Sequence, residues 1–227
     1  GFTFTNNVID GAVGGSKSGV YAQVTGKVLV SGNIINNVAF RPYVIQITTN
    51  DGISDEFNVI DNVFSGSSIG RAQGLGSDAT GNDEVKIKVS ENIFKGITDS
   101  QQICYWNFNS NTTVADLSHN YYDIDILANP NKIYYNVAAN SVEDLIEMGI
   151  YPIYRALKSD GTIDKSSLYA PVVSLNNVLY SSLEEAIAAV KAGETIKLMS
   201  DITLLNNLTL PADVIFNGNG KQINGSI

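Results

Sequence analysis

The sequence predicts an all-β protein built as a parallel β-solenoid, and three observations support this prediction. A repeat of 26 to 30 residues runs from residue 1 to about residue 125, its units consist of short strand-like segments, and one asparagine recurs at a fixed place in every unit. Such a unit cannot bury its apolar side chains by itself, so it must stack on its neighbours. Equivalent strands of successive units are therefore expected to pair in parallel.

The recurring asparagine defines the register of the repeat. Apolar residues stand three and five positions before it, which is strand periodicity, and two apolar or aromatic residues follow it. A glycine four positions after it, at Gly11, Gly66 and Gly96, indicates a turn into the next strand. Stacking predicts a ladder of inward amides that hydrogen-bond to each other and to the backbone, and the spacings of its members are 26, 29, 30 and 28 residues: Asn7, Asn33, Asn62, Asn92 and Asn120.

The repeat ends after Asp125, and the composition of the chain changes. Ser141 is expected to cap a short helix that Gly149 ends. We interpret residues 126–158 as a cover over the last coil, because a terminal coil otherwise exposes apolar core and strand edges. Residues 159–171 are mostly polar and predict a linker or a surface loop.

The segment 172–227 predicts a second unit. A hairpin is expected across Asn176 and Asn177, followed by a helix that starts at Ser181 or Ser182. Four apolar segments after the helix predict short strands: 195–198, 202–204, 208–210 and 214–216. The expected organisation is therefore the end of one solenoid in 1–158, a linker in 159–171 and the start of another in 172–227. The alternative, in which 172–227 packs on the first solenoid as one continuous domain, stays open.

The repeats resemble a known family. Val-Ser-Gly-Asn33-Ile-Ile and Val-Ile-Asp-Asn62-Val-Phe-Ser-Gly are similar to the repeats of the right-handed parallel β-helix in the pectin-lyase-like superfamily. Residues 114–123 resemble the closing coil of secreted bacterial β-helix proteins, with Tyr122 and Asp123 where Trp and Gly are usual. Residues 180–223 resemble the N-terminal cap and first coils of another β-helix. The resemblance implies a fragment of a secreted or cell-surface bacterial protein.

Composition excludes several classes of function. Lys and Arg number 14 and Asp and Glu number 23, so the net charge of −9 repels nucleic-acid phosphates. One His and one Cys cannot form a His/Cys metal cluster or an internal disulfide framework. No apolar run approaches the length of a membrane span. We expect no nucleic-acid partner and no membrane span in this chain.

The densest polar feature is an acidic cluster formed by Asp51, Asp55, Glu56 and Asp61. Its simplest interpretation is a solvated coil loop. Carboxylates on adjacent coils could instead bind Ca²⁺, the one cofactor that the pattern leaves open, or act as an acid and base pair on a glycosidic bond. Asn50-Asp51-Gly52 resembles the Asn-Thr-Asp-Gly of polygalacturonases, but the Gly-His-Gly and Arg-Ile-Lys of that family are absent.

Cationic and aromatic residues give a second set of candidate ligand-binding positions. Arg41 and Arg71 are one repeat apart and could stack on one face near the acidic loop; loop cations paired with Asp are the simpler interpretation. Tyr105 and Trp106 could stack on sugar rings, whereas packing of these aromatics in the core is the competing interpretation. Trp106 is expected to point outward, because strand neighbours alternate.

Two hypotheses about function follow. The first is a non-catalytic secreted or cell-surface β-helix protein that acts in adhesion or glycan binding, with a polysaccharide or host glycan as its partner. The second is a fragment of a polysaccharide lyase or glycoside hydrolase acting on an acidic polysaccharide. The first is favoured, because no catalytic motif of the resembling enzymes is present.

Overall fold

The computed structural model describes residues 1–11, 20–24, 26–37, 43–48, 55–66, 71–75, 85–96, 106–107, 113–132, 134–135, 137–138 and 141–225. Strands and helices are numbered in chain order. The chain divides into two compact units, Gly1–Leu168 and Tyr169–Ile227. In both units strands outnumber helices, and the described residues contain two short α-helices. The prediction of an all-β protein with few helices is confirmed.

The first unit contains three sheets in which successive repeats contribute successive strands, and the strands of the repeats pair in parallel. The first sheet contains β1 (Phe2–Thr5), β4 (Val28–Ser31), β7 (Asp55–Ile60), β10 (Val85–Ser90) and β13 (Thr113–Asp116). The second contains β2 (Val8–Asp10), β5 (Ile34–Asn36), β8 (Val63–Ser65), β11 (Ile93–Lys95), β14 (Asn120–Tyr122), β17 (Ile153–Tyr154) and β18 (Leu168–Tyr169). The third contains β3 (Val20–Val24), β6 (Tyr43–Thr48), β9 (Arg71–Leu75) and β12 (Trp106–Asn107).

Equivalent positions of neighbouring repeats pair with each other, so each column of the sequence repeat becomes a row of stacked side chains. In the first sheet Val30 pairs with Val59, and Val59 pairs with Val89; all three are buried. In the second sheet Phe64 and Phe94 are paired and fully buried. The alternation of apolar and polar residues along each strand therefore turns one side chain inward and the next outward.

The five asparagines form a continuous hydrogen-bonded ladder at the turn between the first two sheets. In every step, both the backbone N–H and the Nδ2 of one asparagine donate to the Oδ1 of the next, at distances from 2.9 to 3.1 Å. The Nδ2 groups also donate to strand carbonyls, as Asn92 does to Val59 O at 2.8 Å. Four of the five side chains are buried, so their amides need these partners: Asn33, Asn62, Asn92 and Asn120.

The residue before each ladder asparagine lies in the left-handed backbone region, with φ between 56° and 65°. Asn, Gly and Asp tolerate this conformation better than other residues do. Asn, Gly or Asp occupies this position in the first three repeats, and Glu or His occupies it in the last two. In chain order these residues are Asn6, Gly32, Asp61, Glu91 and His119. We call this row the turn column. The kink turns the chain from the first sheet into the second.

The end of the first unit covers the last repeat. Ser141 is the N-cap of helix α1 (Val142–Glu147), and its hydroxyl accepts from the Asp144 N–H in a capping box. Gly149 follows the helix with φ 75°. Leu117 N–H then donates to Gly149 O at 3.1 Å, so the segment after the helix pairs with the fifth repeat. A 3₁₀ turn (Pro130–Lys132) and a small antiparallel pair, β15 (Tyr134–Tyr135) with β16 (Val137–Ala138), precede α1.

The second unit has its own core. Strand β19 (Val173–Leu175) pairs antiparallel with β20 (Val178–Tyr180) and β21 (Thr195–Leu198), β21 pairs in parallel with β23 (Ile215–Asn217), and β22 (Ile202–Thr203) pairs in parallel with β24 (Ile223–Asn224). The predicted hairpin is present, and Asn176 and Asn177 both have positive φ, as a type I′ turn requires. Helix α2 (Leu183–Ala189) begins at Ser182, whose side chain accepts from Glu185 N–H.

The strand predicted at 208–210 is wrong. These residues lie outside any strand, between β22 and β23. Leu208 and Leu210 are partly buried against the core formed by Val173, Leu183 and Ile196. Their alternation with Thr209 therefore reflects two apolar anchors of a loop and not a strand in a sheet.

Candidate functional site

A groove lies on the outer face of the second sheet. We call it the hairpin groove, because a protruding hairpin, residues 156–167 between β17 and β18, forms one of its walls. Its volume is about 780 Å³, and its lining comes from β5, β8, β11, the turn column and the hairpin. All of these residues belong to the first unit.

Three parallel rows of outward side chains form the sheet side of the groove. The middle row is apolar and pairs in register across the strands, from Ile34 to Val63 to Ile93. The turn column flanks it on one side with Asp61 and Glu91. The third row lies two positions after the apolar one. Its residues Asn36 and Lys95 line the other side of the groove, and Ser65 pairs with both of them in register.

The apolar row continues beyond the groove. Val8 pairs with Ile34 in the register of the second sheet and is 70% exposed, whereas Ile34 is 44% exposed and Ile93 is 7% exposed. Strand β11 is nearer than β5 to β17, after which the hairpin begins. Exposure of the apolar row thus increases with distance from the hairpin, and the groove opens towards β2.

Local hydrogen bonds fix the shape of the hairpin. Lys158 N–H donates to Thr162 O at 2.8 Å, and Leu157 and Ile163 form an antiparallel bridge. At the tip, Asp160 Oδ1 accepts from the N–H and the hydroxyl of Thr162 at 2.9 and 2.6 Å. The hydroxyl bond is the main reason why the pKa of Asp160 lies below its ordinary value of 3.8, so this carboxylate is charged at neutral pH.

Glu91 joins the hairpin to the sheet. Its Oε1 accepts from the Tyr154 hydroxyl at 3.0 Å, and its Oε2 lies 3.3 Å from Lys165 Nζ. At the base of the hairpin, Ser167 Oγ accepts from the N–H groups of Arg155 and Ala156 at 3.2 and 3.0 Å. These contacts position the hairpin wall, and they compensate for the left-handed backbone at Glu91, which is unfavourable for this residue type.

Tyr154 gives a pH-dependent test of this attachment. Burial, with the Glu91 hydrogen bond and charge as smaller causes, raises the pKa of Tyr154 from 10.0 to about 12. A group whose pKa is higher in the folded than in the unfolded state contributes stability at pH values below its unfolded-state pKa. This contribution is lost as the pH rises from 10.0 towards 12. We expect Tyr154→Phe to flatten the fall in the free energy of unfolding in this pH range. Denaturant titrations of both proteins below and above pH 10.0 measure this slope, and equal slopes would contradict the expectation.

The charges that line the groove are balanced. Three carboxylates, Asp61, Glu91 and Asp160, face three lysines, so the formal charge of the lining is zero: Lys95, Lys158 and Lys165. The whole chain carries −9. The groove therefore presents both hydrogen-bond acceptors and cationic donors around an apolar floor, without the strong field that selects a polyanion or a polycation.

The acidic residues of the sequence prediction separate in the structure. Asp61 lines the groove, whereas Glu56 lies on the first sheet, where its Oε1 is 3.0 Å from Lys27 Nζ. Asp55 begins β7, and Asp51 lies outside the described residues. Among the residues that the structure describes, no group of three His, Cys, Asp or Glu side chains could hold a metal ion.

The predicted ligand-binding residues belong to other parts of the first unit. Arg71 is the first residue of β9 and Trp106 the first of β12, both in the third sheet and therefore not on the sheet that lines the groove. Arg41 and Tyr105 lie outside the described residues. The proposed roles of these four residues remain predictions.

The sequence prediction did not identify the hairpin wall, because residues 159–171 were interpreted only as a linker or a surface loop. One local signal was available. Asp160-Gly161-Thr162 and Asp164-Lys165-Ser166 share the pattern Asp-x-Ser/Thr, and in both the Asp Oδ1 accepts from the backbone N–H and the hydroxyl two residues later. Two such turns in a short segment indicate an ordered, hydrogen-bonded loop.

A second polar cluster beside the last repeat does not form a hydrolase triad. Ser118 Oγ donates to Asp116 Oδ1 at 2.6 Å and lies 2.8 Å from His119 Nδ1. The serine thus lies between the carboxylate and the imidazole, whereas a triad needs the imidazole between the carboxylate and the serine. Ser118 is also buried. This cluster fixes the left-handed turn at His119.

No protein family, no curated protein and no solved structure matches the chain. Across the described ranges, the structure has no helix with the length and apolar character needed to cross a membrane.

Proposed function

We propose that the first unit is a right-handed parallel β-helix of a secreted or cell-surface bacterial protein, and that its hairpin groove binds a glycan without catalysing a reaction. The parallel, in-register pairing of successive repeats and the asparagine ladder support the fold assignment. The resemblance of the repeats to secreted bacterial β-helix proteins supports the location. Adhesion to a glycan-bearing surface is the biological role that this arrangement suits.

The lining of the hairpin groove is the observation that carries the proposal. Sugars present apolar C–H faces together with hydroxyls that both donate and accept hydrogen bonds. The apolar row of Ile34 and Val63 can pack on such faces, while Asp61 accepts from hydroxyls and Lys95 donates to them. Because the lining has no net formal charge, a neutral glycan fits better than an acidic one.

Binding of the full chain to a glycan array, followed by calorimetry on the glycans retained, tests the proposal. We expect Lys95→Ala to weaken binding by about tenfold, the value of one lost charge-assisted hydrogen bond. Lys88→Ala, an exposed lysine on the first sheet, is the matched control and should bind as the unsubstituted chain does. We also expect affinity to change little with added salt, because a neutral ligand is not attracted by net charge. Absence of binding to any glycan would show the proposal to be wrong.

A lyase or hydrolase acting on polysaccharide is the second candidate. It is favoured by one observation, that Asp61 and Glu91 occupy neighbouring strand ends in a groove that also contains Lys158 and Lys165. Incubation with acidic and neutral polysaccharides, with Ca²⁺ and with a chelator, tests it through ultraviolet absorbance and reducing-sugar release. Product that is lost in Asp61→Asn would replace the binding proposal with an enzymatic one.

A further inference from the structure

We infer that Asn217, at the end of β23 in the second unit, is a site of spontaneous covalent modification, at which the backbone nitrogen of Gly218 displaces the side-chain amide as ammonia. The products are aspartate and isoaspartate at this position, and each adds one negative charge to the chain. The inference does not depend on the proposed function, because it concerns the second unit and no glycan takes part in the reaction.

Three asparagines of the chain are followed directly by glycine: Asn217, Asn219 and Asn224. Glycine has no Cβ, so its nitrogen can approach the side chain before it with little hindrance. The sequence pattern therefore makes all three asparagines candidates for this reaction. The structure separates them, because their side chains and the nitrogens that follow them are held differently.

The side chain of Asn217 is prepared for attack. Its Oδ1 accepts from the Asn219 N–H at 2.9 Å, which closes an Asx turn and folds the side chain over the peptide bond that contains the Gly218 nitrogen. The same N–H lies on the oxygen that becomes negative when Cγ is attacked, as the donors of an oxyanion hole do. Asn217 is exposed, and within the described ranges no acceptor holds its Nδ2.

The Gly218 nitrogen faces the open edge of the sheet. Strand β23 is the last strand of its sheet, and Ile215 N–H donates to Glu194 O at 2.9 Å. Alternate N–H groups of a strand point to the same side, so Asn217 N–H also faces β21 and Gly218 N–H faces away from it. In the part of the chain that the structure describes, Gly218 N–H has no acceptor.

The corresponding groups of the other two pairs are held in place. Asn219 Nδ2 donates to Leu198 O at 3.0 Å, so its leaving group is bound and its side chain is directed at the end of β21. Asn224 lies in β24, and its carbonyl accepts from Leu204 N–H at 2.8 Å. Gly225 packs so closely on Leu204 that an added Cβ would lie 2.7 Å from Leu204 Cβ. The Gly225 nitrogen therefore cannot approach the Asn224 side chain without breaking this packing.

The reaction needs only water and hydroxide as co-reactants. Hydroxide removes the proton of Gly218 N–H, and the nitrogen forms a bond to Asn217 Cγ while the carbonyl electron pair moves to Oδ1. The Cγ–Nδ2 bond then breaks, Nδ2 takes a proton from water, and ammonia leaves a cyclic imide. Water opens this ring at Cγ to give aspartate, or at the main-chain carbonyl to give isoaspartate.

The two products differ in their effect on the second unit. Asn217 pairs in register with Lys197 on β21, so the aspartate product places a carboxylate opposite an ammonium group and keeps the oxygen that accepts from Asn219 N–H. Isoaspartate instead adds a methylene group to the main chain at the end of β23. The turn to Asn219 then cannot close with the same geometry.

Incubation of the folded full chain at mildly alkaline pH, followed by peptide mapping with mass spectrometry, measures the rate at each asparagine. We expect Asn217 to react about tenfold faster than Asn219 or Asn224, the value of one hydrogen bond to a developing charge. The three rates should become similar in concentrated guanidinium chloride, because unfolding removes the turn. Absence of reaction, equal rates in the folded chain, another asparagine as the fastest site, or the same order of rates in denaturant would show the inference to be wrong.

Gly218→Ala tests the identity of the attacking nitrogen. The variant should fold normally, because Gly218 does not have a positive φ and an added Cβ would meet no atom within 4 Å. The Cβ hinders the approach to Cγ, so we expect the reaction of Asn217 to slow by at least about tenfold while that of Asn219 stays unchanged. Asn217→Asp supplies the reference for the aspartate product. An unchanged rate at Asn217 in the alanine variant would overturn the inference.

Discussion

Replacing Asn92 with alanine is expected to lower the free energy of unfolding of the first unit by about 3 kcal/mol or more. Asn92 Oδ1 accepts from the backbone N–H and the Nδ2 of Asn62 at 3.0 and 2.9 Å, and its own Nδ2 donates to Val59 O, Ser90 O and Asn120 Oδ1. Alanine removes all of these bonds at a fully buried position. The Asn62 N–H then has no acceptor, and water cannot replace it without opening the core.

Denaturant unfolding followed by tryptophan fluorescence measures this effect, because the sole tryptophan, Trp106, belongs to the first unit. Asn7→Ala is the matched control. Asn7 is only partly buried, and within the described ranges no residue donates to its Oδ1. We expect a loss of about 1 kcal/mol there. Equal losses in the two variants would mean that the ladder does not act through buried amides.

Phe94→Ala is expected to destabilise the first unit by about 3–5 kcal/mol, the range for removing a buried phenylalanine. The Phe94 ring stacks between Phe64 and Tyr122, with centroid distances of 5.1 and 5.2 Å and interplanar angles of 8°. Phe94 and Phe64 are completely buried. Alanine leaves a cavity in the middle of this row and removes both stacking contacts, each worth about 1 kcal/mol.

Phe94→Leu provides the comparison, because leucine keeps most of the buried volume but cannot stack. We expect it to recover more than half of the stability lost in the alanine variant. The same fluorescence-detected denaturation gives both values. If the leucine variant were as unstable as the alanine variant, ring stacking and not filled volume would dominate the energy of this row.

The ladder and the stacking of sheets were accessible from the sequence because both are repeated locally. Asn62 and Asn92 carry the same flanking pattern. A unit that recurs every 26 to 30 residues can bury its apolar side chains only by stacking on its copies. The helices were also predictable from their ends, since Ser141 and Ser182 both carry the N-cap hydrogen bond. The strand wrongly expected at 208–210 shows the limit of such patterns, because partial burial of a loop produces the same alternation.

The groove was not accessible in the same way. Its attachment depends on Glu91, which contacts Tyr154 and Lys165, residues 63 and 74 positions away along the chain and outside the repeat. No local pattern in residues 159–171 encodes that partner. The sequence prediction selected Asp61 because other acidic residues lie near it along the chain. In the structure its position follows from the turn column, in which Glu91 is the equivalent residue of the next repeat.

The asparagine ladder also gives the stack a polarity. Every step is donated in one sense, from Asn7 towards Asn120, so the side-chain amide dipoles are aligned and add together in the way that peptide dipoles do in a helix. Each ladder asparagine turns its oxygen towards the preceding repeat and its Nδ2 towards the following one. A repeat stacked in the reverse sense would bring oxygen against oxygen or donor against donor. The aligned amide dipoles therefore favour one stacking direction for every repeat of the ladder.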